Sequence, residues 1–256
     1  MTFHELHDAA EPLLLPNAWD VPSALAFLDA GFAAIGTTSF GIASSLGRPD
    51  GGRATRDANL ALARALSSLP AYVSVDIEDG YDDDPERVAA YVAELAAAGA
   101  AGINIEDSSA EKLIAPEAHA AKVGAIKERC PALFVNARVD TYWLGQDATP
   151  RATLARAARY VRAGADGVFV PGASEPAVLR EICDAVPVPV NTLVIPGLPL
   201  SELAEFGVRR VSTGSLPYRA AIHATVEVAG AVREGRAVPA AVPYAELQAR
   251  LVDHAR

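Results

Sequence analysis

The chain has 256 residues, 51% of them hydrophobic, and a formal net charge of −10. That length suits one large domain with a substantial core, since α/β barrels commonly run to about 250 residues. The acidic balance argues against a nucleic-acid partner, whose phosphates would be repelled, and without an apolar run of about 18 residues no membrane span is expected. Glu5, Asp8 and Glu11 interrupt the first residues, so no signal peptide is expected and the cytoplasm is the default compartment. Cys130 and Cys183 are too few for a disulfide framework and are not spaced for zinc.

In chain order, strands are predicted at Leu13–Leu15, Ala33–Thr37, Tyr72–Asp76, Gly102–Glu106, Leu133–Arg138, Gly167–Val170, Val188–Leu193 and Arg210–Thr213. Helices are predicted between them at Val21–Ala30, Arg56–Leu66, Pro85–Ala98, Pro116–Arg129, Pro150–Ala163, Glu175–Ala185 and Leu200–Phe206, followed by Tyr218–Glu234. Gly31, Gly99, Gly164 and Gly207 each stand where a helix must stop just before a strand. Strands alternating with helices imply a parallel sheet, because parallel neighbours need a crossover. Strands read as continuous apolar runs fit a sheet covered on both faces. Eight such units in this length predict one closed (β/α)8 barrel spanning residues 1–256. Residues 239–256 form a helical extension outside it, with a helix at Tyr244–His254.

Active sites of such barrels lie at the carboxyl ends of the strands, so the strand ends carry the chemistry. Asp76 and Glu78 end the third strand and Glu106 the fourth. Two residues apart on an extended backbone, Asp76 and Glu78 should face the same way, and Glu106 lies about 5 Å away on the neighbouring strand. Carboxylates gathered like this repel one another unless a cation sits among them. Oxygen donors in an open position suit Mg²⁺ or Mn²⁺, whereas none of the five histidines falls at a strand end. Helix capping is the competing role for Asp79 and Asp82–Asp84, which precede Pro85.

Arg138 is the only basic residue among the strand ends and can clamp a carboxylate or phosphoryl group through two hydrogen bonds. An ion pair with Asp140 or Glu106 is its alternative role. Thr37, Thr38 and Ser39 offer N–H groups and hydroxyls to an anionic substrate end. No lysine lies on a strand, which disfavours a Schiff base.

Five motifs in register, from about Leu13 to about Val232, resemble the isocitrate lyase/phosphoenolpyruvate mutase superfamily. They are Pro16-Asn17-Ala18-Trp19-Asp20, Gly47 with Asp50, Val75-Asp76-Ile77-Glu78-Asp79-Gly80-Tyr81, Ile105-Glu106-Asp107 and Asn136-Ala137-Arg138-Val139-Asp140. The resemblance implies an Mg²⁺-dependent enzyme. It would bind a small α-oxo carboxylate and make or break a C–C or P–C bond through a metal-stabilised enolate. It also implies that Asp76 touches the metal, that Asp50, Glu78 and Glu106 hold its water ligands, and that Arg138 binds substrate with Thr37, Thr38 and Ser39. A homotetramer or dimer that exchanges the eighth helix between subunits is implied as well.

Three segments depart from the family pattern, the first being Thr37-Thr38-Ser39, where members commonly have Ser-Gly. After the fourth strand, the lyases carry Lys-Cys-Gly-His and the phosphonate enzymes Lys-Thr-Asn-Ser; here the segment is Ser108–Ala115, with only Lys112 to stand in. The lyases place a glutamate after the sixth strand, where this chain has Pro171. The expectation is therefore a lyase-type enzyme with phosphonomutase activity less favoured. Trp19 and Asn191 join the substrate-binding residues, and Tyr81 and Lys112 stand with Arg138 as catalytic candidates. The alternative is a catalytically degenerate homologue that binds oxo acids.

Overall fold

A computed structural model describes residues 1–256. Its parallel sheet comprises β1 (Leu13–Leu15), β2 (Asn17–Ala18), β3 (Ala34–Thr37), β4 (Tyr72–Asp76) and β5 (Gly102–Glu106), then β8 (Phe134–Arg138), β9 (Gly167–Phe169), β10 (Val190–Leu193) and β11 (Val208–Ser212). A separate antiparallel hairpin, β6 (Ser108–Ser109) and β7 (Lys112–Leu113), interrupts the series. The order in the sheet is β1-β11-β10-β9-β8-β5-β4-β3-β2. Its two edges are halves of one N-terminal segment, and β1 pairs with β11 while β2 pairs with β3. Pro16 divides them because it has no N–H to donate, yet its carbonyl still accepts from Gly36 N at 2.8 Å. The sheet thus closes into the expected barrel, with its first strand broken in two.

The helices follow the predicted order. They include α1 (Val21–Asp29), α3 (Arg56–Leu66), α4 (Pro85–Ala97), α5 (Pro116–Arg129), α7 (Pro150–Arg162), α8 (Pro176–Ala185), α9 (Leu200–Glu205), α10 (Leu216–Glu234) and α11 (Tyr244–His254). Local chemistry sets their starts. Asp20, Asp84 and Thr149 each accept an N–H of the first turn, with proline following in the first turn in each case. Two short helices were not foreseen: α2 (Ser39–Ser45) and α6 (Thr141–Leu144), directly after β3 and β8. Both are too short to show a helical period, and both shape the site.

The strands are not the continuous apolar runs expected. They alternate. Val73, Val75, Ile103, Ile105, Val135 and Ala137 belong to the core cluster shared with Val92, Leu95, Val123 and Ile126 of α4 and α5. Burying each such side chain is worth roughly 1.5–3 kcal/mol. The intervening residues Ser74, Asn104, Asn136 and Arg210 face one another inside the barrel, where Arg210 Nη2 donates to Asn104 Oδ1 (3.0 Å) and Asn136 Nδ2 donates to the same oxygen (2.9 Å). Below them the N-terminal segment plugs the barrel: Phe3 is 3% exposed and packs edge-on against Phe134 at 5.5 Å. Gly102 is required there, because a Cβ would come within 2.8 Å of the Phe3 ring.

The chain ends differently. Along α10, Ile222 is 50%, Val226 67% and Val232 65% exposed. No helix is long and apolar enough to cross a membrane.

Candidate active site

A cavity of about 390 Å³ opens at the carboxyl ends of the strands, where barrel geometry puts it. Asp50, Asp76, Glu106 and Arg138 line it together with Thr38 and Ser39. These six predicted residues come from the ends of β4, β5 and β8 and from the segment after β3, and the fold brings them to one place.

Asp76 ends β4. Its N–H donates to Thr37 Oγ1 (2.9 Å), and its Oδ2 accepts from Ser39 N (3.2 Å). Burial raises its pKa, Arg138 opposes that, and Asp50 adds to it. Glu106 is raised well above the ordinary range, by burial first; Arg138 opposes this, and Asp140, Asp76 and Asp50 reinforce it. The acids therefore sense one another, as carboxylates without enough counter-charge do.

Arg138 makes both ion pairs weighed as its alternative role. Nη1 lies 2.8 Å from Glu106 Oε2, and Nε lies 2.6 Å from Asp140 Oδ1. Burial alone would lower its pKa, but Glu106, Asp140 and Asp76 outweigh that and hold it above the usual value. Asp140 is itself fixed, since its N–H donates to Asp107 Oδ1 (2.8 Å) and its Oδ2 accepts from Ser108 Oγ (2.5 Å). Asp107 in turn accepts from Arg156 (2.9 Å) and Tyr160 (2.6 Å) on α7. A chain of buried polar contacts thus runs from helix to arginine.

Glu78 departs from expectation. β4 stops at Asp76, and Glu78 has φ 50°, so the two do not share a face as they would on an extended strand. Its Oε1 accepts from Thr55 Oγ1 (2.5 Å) and its Oε2 from Arg53 N (2.9 Å), behind the loop that carries Asp50. Burial raises its pKa, with Asp50 and Asp76 contributing. Arg53 ties the same loop down by ion pairs to Asp79 and Asp83. Asp84, by contrast, is a helix cap, as the competing reading held.

The other predicted residues lie outside the cavity wall. Trp19 packs edge-on against Tyr218 at 5.4 Å. Thr37 is fully buried behind Asp76. Asn191 Nδ2 donates to Ser212 Oγ (3.1 Å). The Tyr81 hydroxyl accepts from Asn59 Nδ2 (2.9 Å) and lies 3.1 Å from Thr55 Oγ1, and burial pushes its pKa well up. Lys112 is exposed on β7. Lys122 is the buried lysine instead, and its Nζ donates to the Asp79 carbonyl at 2.8 Å.

Several wall residues were missed. Asn104 precedes Glu106 by two residues on β5, so strand alternation could have found it. Ser108 and Glu111 come from the β6–β7 hairpin, held to the barrel by Gln146, which accepts from Leu113 N (3.1 Å) and donates to Glu111 O (2.9 Å). Trp143 and Phe169 flank Arg138, with their ring centres 5.5 and 5.8 Å from its guanidinium carbon. No local signal marks either ring. Arg210 lies beneath Asn104 and Ser212 without a carboxylate partner; burial lowers its pKa to about 9, and Nη1 has no hydrogen bond.

The sequence profile of the family described as phosphoenolpyruvate phosphomutase matches residues 3–233. The chain is 63% identical over 254 residues to an uncharacterized protein of Mycobacterium tuberculosis (strain ATCC 25618 / H37Rv), covering 99% of this chain and 97% of the relative. It is 32% identical over 218 residues to 2-methylisocitrate lyase of Escherichia coli (strain K12), covering 79% and 69%. Among solved structures, phosphonopyruvate hydrolase in complex with oxalate and Mg²⁺ superposes with a TM-score of 0.86 at 25% identity, covering 100% of this chain and 98% of that one.

Proposed function

Since the chain belongs to the phosphoenolpyruvate phosphomutase family, whose relatives include lyases, mutases and hydrolases, we propose that it is a lyase-type enzyme. It would use Mg²⁺ or Mn²⁺ to bind a small 2-oxo carboxylate and cleave a bond to the carbon beside the oxo group. The observation that carries this reading is the convergence of the carboxylates of Asp50, Asp76 and Glu106 on one cavity around the single guanidinium of Arg138.

The donor set fits a hydrated cation. Its donors at the cavity, the carboxylates of Asp50, Asp76 and Glu106, are oxygen alone, the chemistry of a small hard ion that takes one or two carboxylates and otherwise keeps its water. In this reading Asp76 is the direct ligand, Asp50 and Glu106 hold its waters, and Glu78, which accepts from Thr55 and Arg53, braces the loop that carries Asp50. When bound, such a cation supplies Lewis acidity at the oxo oxygen and offsets charge that develops there.

Arg138 binds the carboxylate end in a fixed orientation, because Glu106 and Asp140 hold the guanidinium from two sides. Asp107 acts through Asp140 and is a positioning residue. Thr38 and Ser39 line the cavity beside Asp76, whose carboxylate accepts from Ser39 N. Neither Tyr81 nor Lys112 is needed as a proton donor, since both stand outside the cavity; Ser108 and Glu111 on the hairpin are the polar groups at hand. A second reading, an oxo-acid-binding homologue without turnover, is favoured only by that hairpin, which brings no thiol or amine to the cavity.

The exposed apolar residues of α10 support the further proposal that this helix docks on another copy of the chain. Sedimentation of the protein as a dimer or tetramer is the result expected.

Titration calorimetry with oxalate, in Mg²⁺ and then in EDTA, tests the metal reading. Binding is expected only with Mg²⁺, and equal binding in both overturns it. A panel of 2-oxo acids in D₂O separates enzyme from binder. Bond cleavage, or deuterium incorporation beside the oxo group, supports the enzyme, whereas saturable binding with neither supports the binder.

A further inference from the structure

The cavity has two chemically different walls, and Arg138 stands on the boundary. Glu106, Arg138 and Phe169 are partners in register on the adjacent strands β5, β8 and β9. On the β5 side lie Asp76 and Glu106. On the other, Phe169 ends β9, Pro171 follows it and Leu193 ends β10, while α6 adds Trp143 and Leu144. A ligand whose carboxylate meets Arg138 therefore has Asp76 and Glu106 on one flank and, on the other, mainly apolar side chains bordered by Ser212 and Ser215.

Charge sharpens the contrast. The wall carries the carboxylates of Asp50, Asp76, Glu106, Glu111 and Asp140, and Arg138 is its one basic residue. Arg138 is already shared between Glu106 and Asp140. Other nearby cations are committed or covered: Arg53 to Asp79 and Asp83, Lys122 to the Asp79 carbonyl, and Arg210 beneath Asn104 and Ser212. A second carboxylate or a phosphonate on the substrate would meet Phe169, Pro171 and Leu193, with the hydroxyls of Ser212 and Ser215 beyond them but no second cation to pair it. Losing water without gaining a partner is costly for an anion.

We infer that the site takes 2-oxo carboxylates whose remaining chain is apolar, and that it discriminates against a further anionic group at the chain's far end, beyond the two-carbon oxo-carboxylate unit that oxalate mimics. This rests on the metal and oxo-acid reading above. Phe169, Leu193 and Trp143 are the specificity-determining residues. Each methylene placed against them should tighten binding about fourfold, the increment expected for burying one CH₂.

The test is calorimetry on the Mg²⁺-loaded full-length protein with oxalate, 2-oxobutyrate, 4-methyl-2-oxopentanoate and 2-oxoglutarate. The last two have similar length and differ in the distal group. The expected result is that 4-methyl-2-oxopentanoate binds at least tenfold more tightly than 2-oxoglutarate. Oxalate binding with 2-oxoglutarate equal or preferred overturns this inference alone, whereas loss of oxalate binding overturns the metal reading and this inference together. Leu193→Arg adds a cation to the apolar wall and should move the preference tenfold or more toward 2-oxoglutarate. An unchanged ratio in a folded variant that still binds oxalate overturns the assignment of that wall.

Discussion

Arg138 reaches Glu106 across the β5–β8 ladder at 2.8 Å, with their backbones in register. The pair is nearly closed to solvent, at 14% and 15% side-chain exposure. An ion pair removed from water in this way holds geometry more than it adds stability, but breaking it leaves a buried charge alone. The same guanidinium serves Asp140 through Nε, so one side chain fixes two acids and presents its remaining face to the cavity.

Arg138→Lys should therefore fail despite keeping the charge. Lysine has no planar fork to span Glu106 and Asp140. We expect oxalate affinity in Mg²⁺ to fall by about 30-fold or more, the equivalent of about 2 kcal/mol for a charged hydrogen bond. Calorimetry measures this directly, and affinity within threefold of the parent would show that the fork is not used.

Asp107→Ala should destabilise the fold by about 3–5 kcal/mol, since it strands Arg156 and frees the Asp140 N–H. Denaturant unfolding reads the loss. Asp107→Asn, which keeps an acceptor, should recover part of it.

His119 is fully buried on α5, its ring against Tyr160 at 4.4 Å, and neither nitrogen has a hydrogen-bond partner. Burial first, then Lys122 and Arg156, lowers its pKa to about 3. Unfolded histidine protonates near 6.5, so between pH 6.5 and 3 the unfolded chain binds the extra proton. Its contribution to stability is whole above pH 6.5 and is lost as pH falls toward 3. His119→Phe should leave stability at pH 7 unchanged or raised by about 1 kcal/mol. It should also flatten the decline of melting temperature below pH 6.5. A parallel decline in both proteins would refute the assignment.

Ala110 and Glu111 form the turn of the β6–β7 hairpin with φ of 49° and 59°. Both central residues of this two-residue turn need positive φ, which favours asparagine and glycine over alanine. Ala110→Asn should stabilise the protein by about 0.5–1 kcal/mol, visible as a higher melting temperature. A lower one would mean that the turn is strained for another reason.

Asp76→Ser removes a carboxylate that lines the cavity while keeping a hydroxyl. Mg²⁺-dependent oxalate binding should disappear, and stability in EDTA should hold or rise, because a buried acid with a raised pKa is lost. Retained Mg²⁺ dependence would place the cation elsewhere.

The barrel and much of its site could be read along the chain because their causes are local. Glycines at helix ends, prolines in first helical turns, and charged residues at the ends of short strands placed Asp76, Glu106 and Arg138 without knowledge of any contact. The same local logic misled at Glu78: a spacing of two residues fixes a face only while the backbone stays extended, and β4 ends two residues too soon. What tertiary structure alone decided are the pairings between distant residues. Arg210 meets Asn104, Arg138 is flanked by Phe169, and Asp107 holds Asp140 while anchored on Tyr160. Such contacts depend on barrel closure and strand register. No local pattern encodes them, because each side chain finds its partner across the sheet and not along the sequence.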